Sequence, residues 1–332
     1  MSKKDIGIDL GTANTLIYRK TKGIVINEPS VAALDRTDNK IVCAGSKAKE
    51  MLGRTPRGVE AVKPLSKGVI EDFETASAML ELFINKAMGT RSGLKPTAVV
   101  AVPAGITAVE KKAVREAVLN AGVRECFLVD EPMAAAIGAE LDVNAPSGIM
   151  IADIGGGTSE VAVIALGGIV TRRTFETGGD SMDRAIYNYI LRKYGICLGI
   201  QSVEGVKNKI GTVMKNTSLV KLRVNGRHNL SGLPQSVCVT GEDIRRAILP
   251  EVYKIVDAIR QTLEETPPEL CSDILKSGIT LTGGGAYISG IDRLICTKTS
   301  LPVRIAEAPL ESVIRGIGKI VENRKIMKRN FD

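Results

Sequence analysis

The chain has 332 residues, of which 44% are apolar and 25% are charged, and its net charge is +8 at pH 7. A single hydrophobic core stops growing at about 250–300 residues, so two lobes are the favoured organisation. No stretch approaches the roughly 20 apolar residues that cross a bilayer, and the residues before Asp5 lack the apolar core of a signal peptide, so we expect a cytoplasmic protein without spanning segments.

The inventory of reactive side chains excludes several kinds of catalytic site. His228 is the only histidine, and the six cysteines include no Cys-x-x-Cys pair. Zinc sites and Ser-His or Cys-His nucleophiles need imidazole or clustered thiolates, so neither is expected. Carboxylates must therefore carry any acid-base chemistry.

The positive charge is compatible with a polyanionic partner. However, the chain has no tryptophan and only 3% aromatic residues, so stacking platforms for nucleic acid are not expected and we predict no direct nucleic-acid binding. The basic residues are scattered except near the C-terminus, where a cluster is interpreted as the solvated end of a helix. This cluster comprises Lys319, Arg324, Lys325, Lys328 and Arg329.

A hairpin signal opens the chain and recurs later. Residues 6–18 contain a short apolar strand, a turn and a second strand. Residues 149–164 repeat this plan. The two turns begin at Asp9 and Asp153, about one domain length apart, which predicts a duplicated fold.

Helices and strands alternate between the two hairpins. Apolar residues recur at helical spacing from Met79 to Ala87, and a strand is predicted at residues 98–102. The next helix begins at Thr107 with a Thr-x-x-Glu capping box, ends at Gly122, and is followed by a strand at 126–129. Its expected buried face comprises Val109, Val114, Ala117 and Val118. Such alternation indicates an α/β layer fold.

The second half has a similar alternation. We predict a helix after Asp180, a region rich in lysine and glycine at 204–235, and a long helix at 244–263 that ends before Pro267. A strand at 279–281 then meets a third glycine run, and a helix, a strand and a terminal helix follow.

The two turns have a composition that suits a phosphate. Each places an aspartate, Asp9 or Asp153, beside small residues whose backbone N–H groups can face an anion without an intervening Cβ. A carboxylate next to phosphate would be repelled unless a cation lay between them. Both aspartates therefore imply Mg²⁺, held through its water molecules.

An alternative is that these are ordinary glycine-rich hairpin turns with aspartate in a common turn role. Two copies at domain spacing, together with the glycine run at 283–285, favour instead a clamp that holds a polyphosphate from two sides. The chain has no Gly-x-x-x-x-Gly-Lys-[Ser/Thr] or Gly-x-Gly-x-x-Gly motif, which disfavours P-loop and Rossmann sites.

Three motifs carry a specific resemblance. Residues 9–15 (DLGTANT), 153–158 (DIGGGT) and 281–285 (LTGGG) resemble, in order, the phosphate-1, phosphate-2 and adenosine motifs of the actin, sugar-kinase and chaperone ATPase superfamily. Further segments resemble the bacterial MreB filament proteins closely. These are 27–31 (NEPSV), 53–56 (GRTP), 68–70 (GVI), 131–138 (EPMAAAIG), 178–180 (GGD) and 266–270 (TPPEL).

The resemblance implies an actin-like fold of two duplicated RNase H-like lobes, each with a smaller subdomain and with a nucleotide cleft between them. The expected subdomain boundaries are 1–32, 66–145 and 312–332 for IA, 33–65 for IB, 146–181 and 244–311 for IIA, and 182–243 for IIB.

The resemblance also assigns site residues for ATP or ADP and Mg²⁺. The expected nucleotide contacts are Asp9, Gly11, Thr12, Ala13, Asn14, Gly155, Gly156, Gly157, Thr158, Gly179, Glu204, Lys207, Gly283, Gly284 and Gly285. Asp9 and Asp153 would hold Mg²⁺ through water. Glu131, with Asp153 and Thr158, would carry catalysis, and Glu131 matches the position that orients or deprotonates the attacking water. Its alternative role is that of a carboxylate favoured by a helix N-terminus.

Some positions depart from the family pattern or admit another interpretation. Glu204 and Lys207 match the pair beside the adenosine, although their spacing alone favours an i, i+3 ion pair. Asp130 replaces a usual glutamate, Lys209 replaces a usual acid, and Gly205 interrupts an expected helix.

The function implied by the resemblance is that of an ATP-binding, slowly ATP-hydrolysing protein that polymerises and organises cell-wall synthesis to determine bacterial cell shape. Its expected partners are further copies of itself, in paired antiparallel protofilaments, and the inner membrane surface, reached directly or through membrane-bound cell-shape proteins. In the loop at 89–96, Leu94 is the one large apolar residue, so direct membrane binding would be weak.

The alternatives come from related families. A soluble small-molecule kinase of the same superfamily would need a second substrate pocket with its own base, and no candidate matches Glu131. A chaperone ATPase would need a peptide-binding domain beyond the last motif. A DNA-segregating relative of actin would match the motifs less well.

Overall fold

The computed structural model describes residues 5–89, 95–215 and 220–323. The strands in the described residues are, in chain order, β1 Ile6–Leu10, β2 Asn14–Arg19, β3 Gly23–Pro29, β4 Ala32–Asp35, β5 Ile41–Ala44, β6 Val59–Val62, β7 Leu65–Ser66, β8 Val69–Ile70, β9 Thr97–Val102, β10 Glu125–Asp130, β11 Ile149–Ile154, β12 Ser159–Ala165, β13 Gly168–Phe175, β14 Ile196–Cys197, β15 Lys221–His228, β16 Pro234–Thr240, β17 Ile279–Thr282 and β18 Val303–Ile305.

The helices in the described residues are α1 Ser46–Met51, α2 Phe73–Met88, α3 Ala108–Asn120, α4 Glu131–Gly138, α5 Gly179–Tyr194, α6 Ile200–Ile210, α7 Gly241–Glu264, α8 Pro268–Ser277, α9 Ile291–Thr299 and α10 Ser312–Glu322, with short 3₁₀ turns at Gly284–Tyr287 and Pro309–Glu311. None of these helices combines the length and the apolar character that a membrane crossing requires.

The two halves of the chain form sheets of identical topology. The first sheet has the order β10-β9-β1-β2-β3, and the second has the order β13-β12-β11-β17-β18. In each sheet the first strand is central, an antiparallel hairpin extends on one side, and two parallel strands lie on the other. The duplication and the α/β class predicted from the two hairpins are confirmed.

Each lobe carries a smaller sheet beside its main sheet. In the first lobe, β5-β4-β6 pack against α1 around Val31, Ala33 and Ala48. In the second lobe, β14-β15-β16 and α6 extend the core built on α5 and α7. The four subdomain boundaries given above remain predictions.

Helices α4 and α10 lie between the two main sheets. Their apolar faces share one buried cluster with Val99 and Val129 of the first sheet and with Ile151 and Ile164 of the second. The two helix backbones touch, because a Cβ on Gly138 would lie 1.7 Å from the carbonyl oxygen of Ser312. The two helices are therefore held together by close backbone contact, and α4 packs on strands of both main sheets.

The predicted helix after Thr107 is confirmed with one error. Thr107 and Glu110 form the expected capping box, and Val114, Ala117 and Val118 are buried. Val109, however, is 77% exposed. At 3.6 residues per turn, Val109 lies roughly 140° around the helix from Val114, outside the buried stripe.

Two helical glycines should respond oppositely to a methyl group. Nothing lies within 4 Å of a Cβ on Gly205, so Gly205→Ala should raise the free energy of unfolding by about 0.5–1 kcal/mol through helix propensity. Gly138→Ala should lower it by about 3 kcal/mol, because backbone atoms of α10 occupy the space. Urea unfolding followed by circular dichroism measures both. Similar changes in the two variants would contradict the packing described for α4 and α10.

Candidate functional site

A cavity of about 660 Å³ lies between the two lobes. Its walls include every residue that the sequence assigned to the nucleotide, to the metal or to catalysis. Those residues come from the β1–β2 turn, the β11–β12 turn, the starts of α4 and α5, helix α6 and the segment after β17. The structure therefore brings all the predicted site residues together, while their chemical roles stay predictions.

The β1–β2 turn is held in place from its own lobe. The hydroxyl of Ser30 donates to the carbonyl oxygen of Gly11 at 2.6 Å, and the backbone N–H of Gly68 donates to the hydroxyl oxygen of Thr12 at 2.9 Å. A Cβ on Gly11 would lie 2.8 Å from the carbonyl oxygen of Asn14, so this tight turn requires glycine.

The β11–β12 turn contacts the first turn directly. A Cβ on Gly156 would lie 2.7 Å from the Cβ of Ala13, and a Cβ on Gly157 would lie 2.7 Å from the hydroxyl of Thr12. The backbone N–H of Gly179, at the start of α5, donates to the carbonyl oxygen of Gly155 at 3.0 Å. Glycine at these positions lets two turns from different lobes approach closely, with backbone N–H groups unobstructed by side chains.

The third glycine run closes the floor of the cavity. Gly283 has a φ of +79°, and a Cβ on it would lie 2.4 Å from the carbonyl oxygen of Ile154. Next to this run, Tyr287 and Ile200 line the cavity with side chains that are 65% and 61% exposed. They give the cavity an apolar wall, suited to a flat aromatic ring. Sequence analysis missed both residues.

The carboxyl groups of Asp9, Asp153, Glu131 and Glu160 lie near one another where the lobes meet. Burial and the nearby charge of Asp153 raise the pKa of Asp9 to about 7. Burial raises the pKa of Asp153, although the hydroxyl of Thr282 donates to its Oδ1 at 2.7 Å and opposes the shift. Burial, followed by the charges of Glu160 and of the three aspartates Asp9, Asp153 and Asp130, holds the pKa of Glu131 well above its usual range.

Such a cluster suits a bound cation. Carboxylates whose pKa values are raised by burial and mutual repulsion gain stability when positive charge enters. Among the described residues, no three histidine, cysteine, aspartate or glutamate side chains are arranged to hold a metal ion directly. The residues Asp9 and Asp153 fit Mg²⁺ held through water and phosphate oxygens, with few direct protein ligands.

The position of Glu131 is compatible with both of its predicted roles, which stay predictions. It is the first residue of α4, directly after β10, so the helix N-terminus favours its carboxylate. It also lines the cavity and is 9% exposed. A buried carboxyl group at this position can act as a general base only when it is ionised.

Glu160 is a buried carboxyl group that sequence analysis missed. It lies opposite Asp153 in the β11–β12 register, and its Oε1 accepts hydrogen bonds from the backbone N–H of Ala104 at 2.9 Å and the hydroxyl of Thr174 at 2.6 Å. Burial raises its pKa to about 8. The available signal in the sequence was a charged residue directly before the apolar run at 161–165 of strand β12.

Glu204 and Lys207 do not form the i, i+3 pair that their spacing favoured. Lys207 donates to Asp183 at 2.9 Å and to the carbonyl oxygen of Gly179 at 3.0 Å. Glu204 instead pairs with Lys49 of α1 at 2.8 Å. The partners lie more than twenty residues away along the chain, so helical spacing alone could not identify them.

Two predictions on surface segments fall largely outside the described residues. Leu94 and the cluster residues beyond Asn323 are not described. Lys319, the described member of the cluster, donates to the carbonyl oxygen of Ile137 and to Glu140, both at 3.1 Å. This lysine therefore ties α10 to the end of α4.

Comparison with known proteins gives a consistent result. The family model described as MreB/Mbl protein matches residues 3–329. The cell shape-determining protein Mbl of Bacillus subtilis is 44% identical over the whole of both chains. The cell shape-determining protein MreB of Escherichia coli is 45% identical, over 97% of this chain and 94% of its own.

Solved structures agree with the sequence comparison. MreB 5 of Spiroplasma citri bound to AMPPNP superposes with a TM-score of 0.92 at 36% identity, covering 99% of this chain and 98% of its own. A chain of the MamK double helical filament superposes with a TM-score of 0.81 at 24% identity, covering 96% and 98%. The actin-like fold expected from the sequence is confirmed.

The raised pKa of Asp9 makes stability depend on pH in the nucleotide-free, metal-free protein. Between the unfolded pKa of 3.8 and the folded pKa of about 7, the folded state binds the proton more tightly, so the free energy of unfolding falls as pH rises. Asp9→Asn should remove this pH-dependent loss of stability. The free energy of unfolding of the variant, relative to wild type, should therefore be higher at pH 8 than at pH 4 by about 1–3 kcal/mol.

Thermal or urea unfolding in EDTA across this pH range measures the effect. Asp257→Asn, at an exposed position on α7, is the control for exchanging a carboxylate for an amide. A pH-independent difference between wild type and Asp9→Asn would contradict the predicted pKa.

Proposed function

The chain belongs to the MreB/Mbl family, and on this premise we propose that it is an ATP-dependent cytoskeletal protein that polymerises and helps to determine cell shape. One observation carries the proposal. The cavity is built by equivalent hairpin turns from two lobes of the same topology, so a ligand held there contacts both lobes at once. The nucleotide analogue named for MreB 5 of Spiroplasma citri supports ATP or ADP as that ligand.

In this proposal the polyphosphate lies between the two turns. Backbone N–H groups at 11–14 and 155–158 face its oxygens, and the adenosine lies over Gly283–Gly285 beside Tyr287 and Ile200. Bound Mg²⁺ supplies charge neutralisation between the phosphates and the carboxylates. Asp9 and Asp153 would hold the ion through its water molecules.

Hydrolysis would rely on Glu131. With the site empty, burial and neighbouring carboxylates favour the protonated form of Glu131, and a protonated carboxyl group cannot accept a proton from water. Positive charge in the site favours its ionised form, which then orients and deprotonates the attacking water. Thr158 and Asp153, both on the β11–β12 side, complete the predicted catalytic set. Slow ATP hydrolysis is compatible with this function, because hydrolysis has only to control the assembly of the polymer.

Nucleotide binding would be coupled to assembly through the angle between the lobes. A γ-phosphate held by both turns favours one interlobe angle over others, and α4 transmits this angle because it packs against strands of both main sheets. Head-to-tail contacts between copies then generate a filament when the rotation does not close.

The small-molecule kinase alternative is not favoured. The curated relatives that cover nearly the whole chain are named cell shape-determining proteins. In the described residues, a second cavity of about 640 Å³ lies on the far side of α4 and α10, around Glu140, Ser312 and Lys319. An acceptor bound there would be separated from Glu131 by the length of α4.

Assembly of the purified protein tests the proposal. Negative-stain microscopy and pelleting should show filaments with Mg²⁺-ATP and none without nucleotide, and Asp153→Ala should abolish them, because a ligand to the Mg²⁺ waters is lost. Tight ATP binding by wild type with no assembly across salt and lipid conditions would contradict the polymer proposal and favour the kinase.

Glu131→Gln is the matched variant that separates hydrolysis from binding. It keeps the size of the side chain and removes the base, so phosphate release should fall by roughly 100-fold or more while filaments still form with ATP. Loss of filaments together with hydrolysis would mean that Glu131 is needed to build the site.

We propose further that the filaments lie at the cytoplasmic face of the inner membrane and guide cell-wall synthesis, through direct lipid contact or membrane-bound cell-shape proteins. Leu94 is the apolar residue of the candidate lipid-binding loop. Liposome co-sedimentation should show weak binding of wild-type filaments and a several-fold loss with Leu94→Ser. No binding by either protein would exclude direct attachment through this loop.

A further inference from the structure

We propose that three lysine–carboxylate pairs form a clasp across the mouth of the cavity and set how long the nucleotide stays bound. The clasp consists of Lys49 with Glu204, Lys63 with Asp180, and Lys67 with Glu176. The inference rests on the proposed nucleotide site and adds to it the regulation of exchange.

Each pair joins one lobe to the other. Lys49 lies on α1, and its Nζ is 2.9 Å and 2.8 Å from the two carboxylate oxygens of Glu204 on α6. The side-chain amide of Gln201, also on α6, donates to the carbonyl oxygen of Lys49. The small sheet of the first lobe is thereby fastened to the helix that walls the cavity in the second.

The other two pairs continue this line along the mouth. Lys63 Nζ is 3.1 Å from Oδ1 of Asp180, in the first turn of α5, and Lys67 Nζ is 2.6 Å from Oε2 of Glu176. Lys49, Lys63, Asp180 and Glu204 all line the cavity. A ligand in the cavity would therefore lie directly beneath the first two pairs.

The polarity of the clasp is uniform. All three lysines belong to the first lobe, within residues 49–67, and all three carboxylates belong to the second. Another pair that joins the lobes, Arg172 with Asp130, has the opposite polarity and a longer distance of 3.9 Å. The lysines on one side of the cleft attract the carboxylates on the other side. They also present three positive charges to an incoming polyphosphate.

The clasp opposes opening because a ligand gripped by turns from both lobes can leave only when the lobes separate. The side chains of Lys49, Glu204, Lys63 and Asp180 are each about one-third exposed, at 34–35%. Ion pairs with such exposure are modest and screened by salt, so each should slow opening by roughly 2- to 5-fold. Three pairs acting together should slow it by about 10-fold or more.

The test measures dissociation of a fluorescent ATP analogue, bound with Mg²⁺ and chased with excess ATP in a stopped-flow instrument. Lys49→Met should raise the dissociation rate about 2- to 5-fold, and the triple lysine-to-methionine variant about 10-fold or more. Raising NaCl from about 50 to 500 mM should speed release from wild type and leave the triple variant nearly unchanged. Lys112→Met, which removes a pair with Glu116 within α3, should match wild type at each salt concentration.

A charge swap separates clasp attraction from direct contact with the phosphates. Lys63→Asp should speed release, and the double variant Lys63→Asp with Asp180→Lys should restore the wild-type rate, whereas a phosphate-binding lysine would not be rescued. Unchanged release from the triple variant, or no rescue by the swap, would overturn the clasp. Failure of wild type to bind the analogue at all would instead refute the proposed nucleotide site.

Discussion

A Cβ on Gly156 would lie 2.7 Å from the Cβ of Ala13, so two hairpin turns from different lobes meet at a distance that leaves no room for a side chain. The rest of the site depends on this contact. Each turn is preceded by an aspartate near the end of a central strand, and the meeting of the turns places Asp9 and Asp153 on the wall of the same cavity. Their mutual repulsion is relieved by positive charge, which couples the approach of the lobes to the ligand.

The same contact explains why identical topology in the two lobes matters. In both sheets the hairpin follows the central strand, so both aspartates lie at equivalent edges and face each other when the lobes pack. Apolar residues of α4 and α10 fill the space between the two main sheets. Glu131 starts α4 at the site, and Gly138 ends it against α10, so the proposed catalytic position and the packing of α4 on α10 share eight residues of chain.

Local patterns in the sequence predicted most of the fold and the turns of the site. The hairpins, the Thr107 capping box and the glycine runs depend on neighbours within a few residues, and each is confirmed by the elements observed. Glu160, Tyr287 and the Lys49–Glu204 pair were missed because their environments arise from long-range packing. The prediction that Val109 is buried was wrong for a simpler reason, because Val109 does not lie on the helical stripe formed by the buried residues of α3.

The crossing of α4 and α10 has a mechanical consequence. Where helices pack through interlocked side chains, any rotation must lift ridges out of grooves. At Gly138 and Gly316 the backbones touch directly, with Cβ positions that would lie 1.7 Å and 1.8 Å from carbonyl oxygens of the opposite helix. A contact of this kind fixes the distance between the two helices. It resists a change of their crossing angle less than an interlocked surface would, because at these two positions there is no side chain to lift out of a groove.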